Sequence, residues 1–445
     1  MKFKLKSPVA ILGYGVEGRF ALEFLRKSGI YDITICDHKE NILIPARIKS
    51  RLGQSAFDDL AGFKTVIRSP GVHYQLPAIQ KALKRRAHVT SLTALSMELA
   101  AHRITAITGS NGKTTTTALT AHILHAHYKN QIIIGGNDGM PVLKDAIAHP
   151  DWPILIETSS FQFADLSISP HISAVLNITP NHLDWHEDWE DYIRGKENLL
   201  RHQTSVDWAL LNANNEKTAR LCGSTPGQIF WIGKQKGKNW AVWRGPWLTV
   251  RHAGKTSRIL SRKTLQLKTH PDNLLFAAAI ATLHEAPPKL ITEQMKSFTG
   301  VPHRLEFVRT IKDIHFFNDS SCTTPESAIV AIDQFDPKSL ILILGGSSKK
   351  SDFSTLAAKI AASGVRTYLY GQEGERIKAA LEQAGGGHLV LTYNKSDDFR
   401  QIVQDVYSRA KPGDSIVLSP ACASFDMFRN AKERGYLFTE FVNAL

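Results

Sequence analysis

Short apolar runs, many of them β-branched, recur along the chain, and each gives way to a Gly-, Ser- or Asn-rich turn followed by a segment with helical spacing. The first series predicts a strand at Ser7–Leu12, a helix over Arg19–Ser28, and strands at Tyr31–Cys36 and Thr65–Arg68. The second has strands at Ile104–Thr108, Ile132–Ile134, Trp152–Ile156, Ser173–Asn177 and Val206–Leu211, with helices over Thr115–Tyr128, Tyr192–Leu200 and from Asp272 through Ala281. The third has strands at Ile314–Phe317, Leu340–Leu344, Thr367–Tyr370, His388–Thr392 and Ser415–Leu418, with helices over Phe353–Ala362 and Asp397–Arg409. Strand alternating with helix predicts an α/β protein with mostly parallel sheets. Breaks in the pattern near residues 92 and 298 divide it into three domains, 1–92, 93–297 and 298–445. The length suits roughly three domains of about 150 residues each.

The turns carry the candidate chemistry. In Gly109-Ser110-Asn111-Gly112-Lys113-Thr114, with a strand before and a helix after, the glycines let backbone N–H groups approach an anion. The helix N-terminus adds partial positive charge, Lys113 reaches terminal phosphates, and the Thr114 hydroxyl suits Mg²⁺. Position 107 is Ile where the usual nucleotide loop has Gly, yet the context predicts a P-loop ATPase-type middle domain. The earlier turn, Gly13-Tyr14-Gly15-Val16-Glu17-Gly18, is followed by Asp37 at the end of the next strand, a Rossmann-like βαβ pattern. A nicotinamide dehydrogenase would use these glycines, and so would any diphosphate ligand. Ser69-Pro70-Gly71 is a turn whose free N–H groups suit the same ligand. The third domain is also Rossmann-like, with Gly345-Gly346-Ser347-Ser348-Lys349 and Ser419-Pro420-Ala421-Cys422-Ala423-Ser424-Phe425 at strand ends.

Ligands of doubly wound sheets sit beyond the carboxyl ends of the strands, which makes Glu157 a candidate metal ligand. His182, Asp184 and His186 are spaced to share a metal, although solvated loops carry the same residue types. Lys196 reads from its own surroundings as a solvated helix side chain.

Composition narrows the picture. With 43% hydrophobic and 21% charged residues, and no apolar run near the roughly 20 residues that span a bilayer, the chain reads as cytoplasmic without membrane insertion. The N-terminal lysines imitate a signal peptide, but the apolar stretch behind them breaks at Gly13. Four scattered cysteines with no C-x-x-C pair argue against a zinc site and a disulfide framework. The net charge of +13 raises nucleic acid as a partner, but residues 231–263 hold nine Lys/Arg, no Asp/Glu and four Trp. Much of the excess is therefore local, reading as a solvated basic face on short antiparallel strands. A nucleic-acid-stimulated NTPase would use the charge and the phosphate loop but leaves the first domain unexplained, and a positive surface equally attracts an anionic nucleotide.

In their order the motifs resemble the Mur ligase family over nearly the whole chain, from Gly13 to Gly435. TGSNGKTT at 108–115 marks the superfamily. Ser159-Ser160-Phe161-Gln162 and LSPACASFD at 418–426 resemble the branch that adds D-glutamate. The resemblance implies an ATP-dependent amide ligase of peptidoglycan synthesis, a monomer, acting on UDP-N-acetylmuramoyl-L-alanine, glutamate and ATP. It implies that Gly15, Val16, Glu17, Gly18, Asp37, Ser69, Pro70 and Gly71 hold the UDP part, so that the first domain binds UDP and not NAD. Gly109, Ser110, Asn111, Gly112, Lys113, Thr114 and Thr115 would cradle ATP, with Asn273, Arg304 and Asp319 as further ATP contacts. Thr114 and Glu157 would hold a first Mg²⁺, and His182 with a CO₂-carbamylated Lys196 a second. Asn137 and His182 would lie by the acyl phosphate, and Thr323, Lys349 and Ser424 would grip the incoming glutamate beside Phe425. Ser321 replaces a common Lys, Phe425 a common Leu, and Ala431 an aromatic that can close the amino-acid pocket. All three departures surround the acceptor, and L-glutamate stays open as the alternative.

Overall fold

The computed structural model describes residues 3–136, 141–179, 188–264, 269–348, 351–396 and 398–445, whose strands form three sheets. The first sheet contains β1 (Val9–Leu12), β2 (Ile33–Asp37), β3 (Lys49–Leu52), β4 (Thr65–Arg68) and β5 (His88–Thr90). They run parallel in the order β3-β2-β1-β4-β5. β1 is buried at every residue, as a parallel strand covered on both faces must be. The chain leaves β1 for β2 on one side and later reaches β4 on the other, so the switch point of the sheet lies between β1 and β4.

The second sheet holds β6 (Ile104–Thr108), β7 (Ile133–Gly136), β8 (Ile154–Glu157), β9 (Ile172–Val175), β10 (Trp208–Asn212), β11 (Gln228–Ile232), β12 (Asn239–Arg244), β13 (Trp247–His252) and β14 (Lys255–Ser261). Its order is β14-β13-β12-β11-β10-β9-β6-β8-β7, which puts a second switch point between β6 and β9. Parallel register pairs Ile107 with Glu157, setting that carboxylate beside the end of β6. Gly136 is required here: at φ +116°, a Cβ on it would fall 2.0 Å from the Glu157 carbonyl oxygen. The third sheet holds β15 (Glu306–Ile311), β16 (Ile314–Asn318), β17 (Leu340–Gly345), β18 (Arg366–Tyr370), β19 (Val390–Asn394) and β20 (Ser415–Leu418). Its order is β15-β16-β20-β17-β18-β19, and only the β15–β16 pair is antiparallel.

The chain divides into two compact units. The first carries the first two sheets and runs to Ser297, apart from a few residues near 270; the second is built on Phe298–Leu445. Among the described residues, no helix is long and apolar enough to cross a membrane.

Three short strands escaped the sequence pattern for one reason. β3, β5 and β15 lie at sheet edges and are largely exposed or half-buried, so they lack the apolar run that marks a covered strand. A helix, Leu92–Ala100, precedes β6 where the sequence reading passed directly to the strand; the Ser91 hydroxyl caps it, accepting from Ala94 N at 3.0 Å. In the basic segment β12, β13 and β14 are antiparallel as expected, but β11 pairs with β12 in parallel.

Candidate active site

The glycine-rich turn after β1 opens the helix Val16–Lys27. Gly18 lets that helix approach its own loop, since a Cβ there would lie 2.1 Å from the Gly13 carbonyl oxygen. Asp37, at the end of β2, accepts from Tyr14 N at 2.6 Å and so ties the turn to the next strand. Ser69, after β4, donates its hydroxyl to Gly13 O at 2.9 Å across the switch point. Space is open where Gly15 and Gly71 would carry side chains, and Val16 is exposed. The cradle thus presents backbone and small residues to a ligand. Glu17 is the exception. Burial pushes its carboxyl up to about 7 against the smaller lowering effects of the Gln162 hydrogen bond and the Arg68 charge. Its Oε2 has no partner among the described residues. An acid in the first helical turn opposes anion binding, and protonation removes that conflict.

The phosphate loop packs across the second switch point. Asn177, just after β9, accepts from Asn111 N at 2.9 Å and donates to Asn111 O at 3.0 Å. Ser110 donates its hydroxyl to Thr179 O at 2.9 Å, and the same oxygen lies 2.8 Å from the Tyr192 hydroxyl. Gly112, at φ +84°, has the Asn273 carboxamide where a Cβ would be, so Asn273 reaches the loop directly. Lys113 opens the helix Lys113–His127 and folds its Nζ back onto Gly109 O at 2.8 Å and Ser110 O at 3.1 Å. Thr114 and Thr115 follow in the first turn.

Lys196 is not solvated, contrary to the reading of its local sequence. It is 2% exposed on the helix Trp189–Arg201, one turn after Tyr192, so both side chains point at the loop. Its Nζ lies 3.4 Å from Thr108 Oγ1 and 4.7 Å from the centre of the Tyr192 ring. Among the described residues no carboxylate pairs with it. Burial, with the nearby Lys113 charge adding to it, holds its amine well below the usual lysine range. The oxygen donors of Thr114 and Glu157 fit Mg²⁺, which takes few protein ligands and completes its shell with phosphate and water. Among the described residues, no group of three or more His, Cys, Asp or Glu is placed to hold a metal alone.

Arg304, Asp319, Thr323, Ser424 and Phe425 belong to the second unit. Asp319 follows β16, accepting from Ser419 Oγ at 2.8 Å and Leu305 N at 3.2 Å. Burial pushes its carboxyl up to about 7, although the Ser419 hydroxyl and the Arg304 charge pull the other way. A folded-state value above the ordinary 3.8 means that the folded protein binds more protons across this interval, so stability falls as pH rises from about 4 to 7. Asp319→Asn should remove that slope: between about pH 5 and 8 the parent should lose on the order of 2–3 kcal/mol relative to the variant. Denaturant titrations at both pH values check this, and a pH-independent difference would refute it. Ser424 is buried, while Phe425 is 72% exposed and donates its N–H to Ser347 Oγ at 2.9 Å.

Asn137, His182, Asp184, His186 and Lys349 lie outside the described residues. Two positioning groups were missed in the sequence. Arg68 is 1% exposed at the end of β4, paired with Asp165 at 2.7 Å and donating to Val72 O at 2.9 Å around the Ser69–Gly71 turn. Its signal was a charge closing an otherwise apolar strand. Asn177 gave no comparable signal, because a single Asn at the end of a predicted strand is ordinary.

Comparison with known proteins agrees with this layout. Residues 7–91 match the Mur ligase MurD-like N-terminal domain, 107–274 the Mur ligase middle domain, and 303–422 the Mur ligase glutamate ligase domain. The UDP-N-acetylmuramoylalanine–D-glutamate ligase of Acetivibrio thermocellus is 34% identical, covering 100% of this chain and 98% of its own. That of Symbiobacterium thermophilum is 32% identical, covering 99% of each. Among solved structures, MurF from Acinetobacter baumannii superposes with a TM-score of 0.61 at 15% identity, covering 97% of this chain and 90% of its own. The UDP-N-acetylmuramate–alanine ligase MurC of Thermotoga maritima gives 0.58 at 17% identity, covering 98% and 99%. These two likenesses concern the fold alone. With sequence relatives matched end to end and all three domain models in order, the chain belongs to the Mur ligase family.

Proposed function

We propose that the protein is an ATP-dependent ligase that joins D-glutamate to UDP-N-acetylmuramoyl-L-alanine in the cytoplasmic assembly of peptidoglycan precursors, acting as a monomer. The observation that carries this reading is a phosphate loop and a separate diphosphate-type glycine loop in one compact unit, in a chain matched throughout by relatives bearing that name. Domains 1–92, 93–297 and 298–445 take the UDP substrate, ATP and the amino acid respectively. The alanyl carboxylate attacks the γ-phosphorus of ATP, ADP leaves, and an acyl phosphate forms. The glutamate amine then attacks the acyl carbon, expelling inorganic phosphate and releasing a proton.

Gly15–Gly18, Asp37 and Ser69–Gly71 bind the UDP part. Gly109–Thr115 and Asn273 hold the ATP phosphates with Lys113 countering their charge, and Arg304 and Asp319 are further ATP contacts. Thr114 and Glu157 would hold one Mg²⁺, and His182 with a carbamylated Lys196 a second, which would supply further positive charge to the phosphates. Asn137 and His182 orient the acyl phosphate, and Thr323, Lys349 and Ser424 bind glutamate beside Phe425.

The departures at Ser321, Phe425 and Ala431 surround the acceptor and leave one alternative, the same reaction with L-glutamate. Incubation with ATP, Mg²⁺ and UDP-N-acetylmuramoyl-L-alanine, with each glutamate enantiomer in turn, distinguishes them by phosphate release and product mass. Product with D-glutamate alone is expected. Product with L-glutamate alone moves the specificity, and no product with either sinks the ligase reading.

A further inference from the structure

Arg434 lies on the helix Ala431–Asn443 of the second unit with its side chain fully buried. Its partners are neutral oxygens. Nε donates to Ser320 Oγ at 2.9 Å, and Nη2 donates to Ser320 O at 2.9 Å and Cys422 O at 3.2 Å. Nη1 donates to Ala423 O at 3.2 Å and to the Tyr370 hydroxyl at 3.4 Å. A Cβ on Gly346 would come within 3.2 Å of Nη1, so the turn after β17 also rests on this group. One guanidinium therefore braces the carboxyl ends of β16, β20, β17 and β18, which are neighbours in the sheet. Its helix is tied to the same place: Ser320 Oγ donates to Ala431 O at 2.7 Å, and Asn318 Nδ2 donates to Gly435 O at 2.9 Å.

Burying a cation among neutral acceptors is unfavourable, and an apolar side chain would fill the space without that penalty. The planar fork gains geometry instead, because its five N–H groups meet acceptors from separate loops at fixed angles. Two of those loops lead directly to the proposed amino-acid contacts. Ser320 precedes Thr323 by three residues, and Ala423 adjoins Ser424.

We propose that Arg434 is a positioning residue of the acceptor amino-acid site, holding the loops that carry Thr323 and Ser424 in the spacing that binds glutamate. The inference rests on the ligase reading. It concerns the second half-reaction, because acyl phosphate formation does not need the amino acid.

Arg434→Lys keeps the charge and removes the fork, and Ser320→Ala removes one of its acceptors in case the first variant does not fold. Steady-state kinetics with glutamate, ATP and the UDP substrate each varied are combined with trapping of the acyl phosphate by hydroxylamine in the absence of glutamate. Arg434→Lys should raise the KM for glutamate roughly tenfold or more, and Ser320→Ala by about threefold, with the KM for ATP and the hydroxamate yield changing far less. An unchanged KM for glutamate in the folded variants, or equal losses in trapping and in the complete reaction, would overturn the proposal. No hydroxamate from the parent enzyme would instead bring down the ligase reading, and this inference with it.

Discussion

Lys113→Met is expected to lower ATP-dependent product formation by roughly a thousandfold or more while the fold is retained, since single charge-stabilising groups of phosphoryl transfer contribute about 10²–10⁵. Lys113 sits at the start of its helix, where the backbone N–H groups already favour an anion, and its ammonium is held by Gly109 O and Ser110 O at the mouth of the loop. Those carbonyls keep the side chain over the loop it serves. Charge building on the transferred phosphoryl group would then meet an ammonium that needs little rearrangement. Met matches Lys in length and helix propensity, so the loss should fall on chemistry and not on the helix. The check is ADP release at saturating ATP and UDP substrate beside a thermal melt. A kcat within about tenfold of the parent, with an unchanged melt, would remove Lys113 from the proposed role.

The sheets were legible because their central strands are covered on both faces and must be continuously apolar. Leu340–Gly345 and Val9–Leu12 are buried at every residue, and their shortness and the glycines after them separate such runs from buried helices. The phosphate loop was legible because it depends on adjacent residues. Contacts between distant residues were not. The Asn177–Asn111 pair spans 66 positions and Gln162–Glu17 spans 145, so each exists only once strands and sheets have packed. Glu17 illustrates the cost of reading locally: its place in the glycine turn was visible, but its hydrogen-bond partner lies far along the chain.

The buried cations are an intermediate case. Arg434, Phe438 and Val442 follow at helical spacing and are all buried, as are Tyr192, Lys196, Leu199 and Leu200 on their own helix. A charge inside an apolar stripe is the signal that was present. Read as composition, such a residue looks solvated; read by spacing, it faces inward and requires a partner. The same logic picks out Arg68 at the end of an apolar strand.

Lys196→Met should cost roughly a hundredfold or more in kcat if the Lys196 carbamate completes the proposed second metal shell. The side chain is closed off from solvent, close to the Thr108 hydroxyl and the Tyr192 ring, and no acid among the described residues pairs with it. A bare ammonium is costly in such a place. Addition of CO₂ to the neutral form of the amine would give a carbamate, release one proton, and place two carboxylate oxygens beside the Thr108 hydroxyl and the phosphate loop. The proposed carbamate therefore predicts that enzyme depleted of CO₂ loses activity and regains it with bicarbonate. Incubation with ¹³C-bicarbonate should also give a carbamate signal that is absent from Lys196→Met. Full activity after depletion, with no labelled signal, would leave Lys196 as an unmodified amine held against the loop, and the proposed second metal site would lose its lysine ligand.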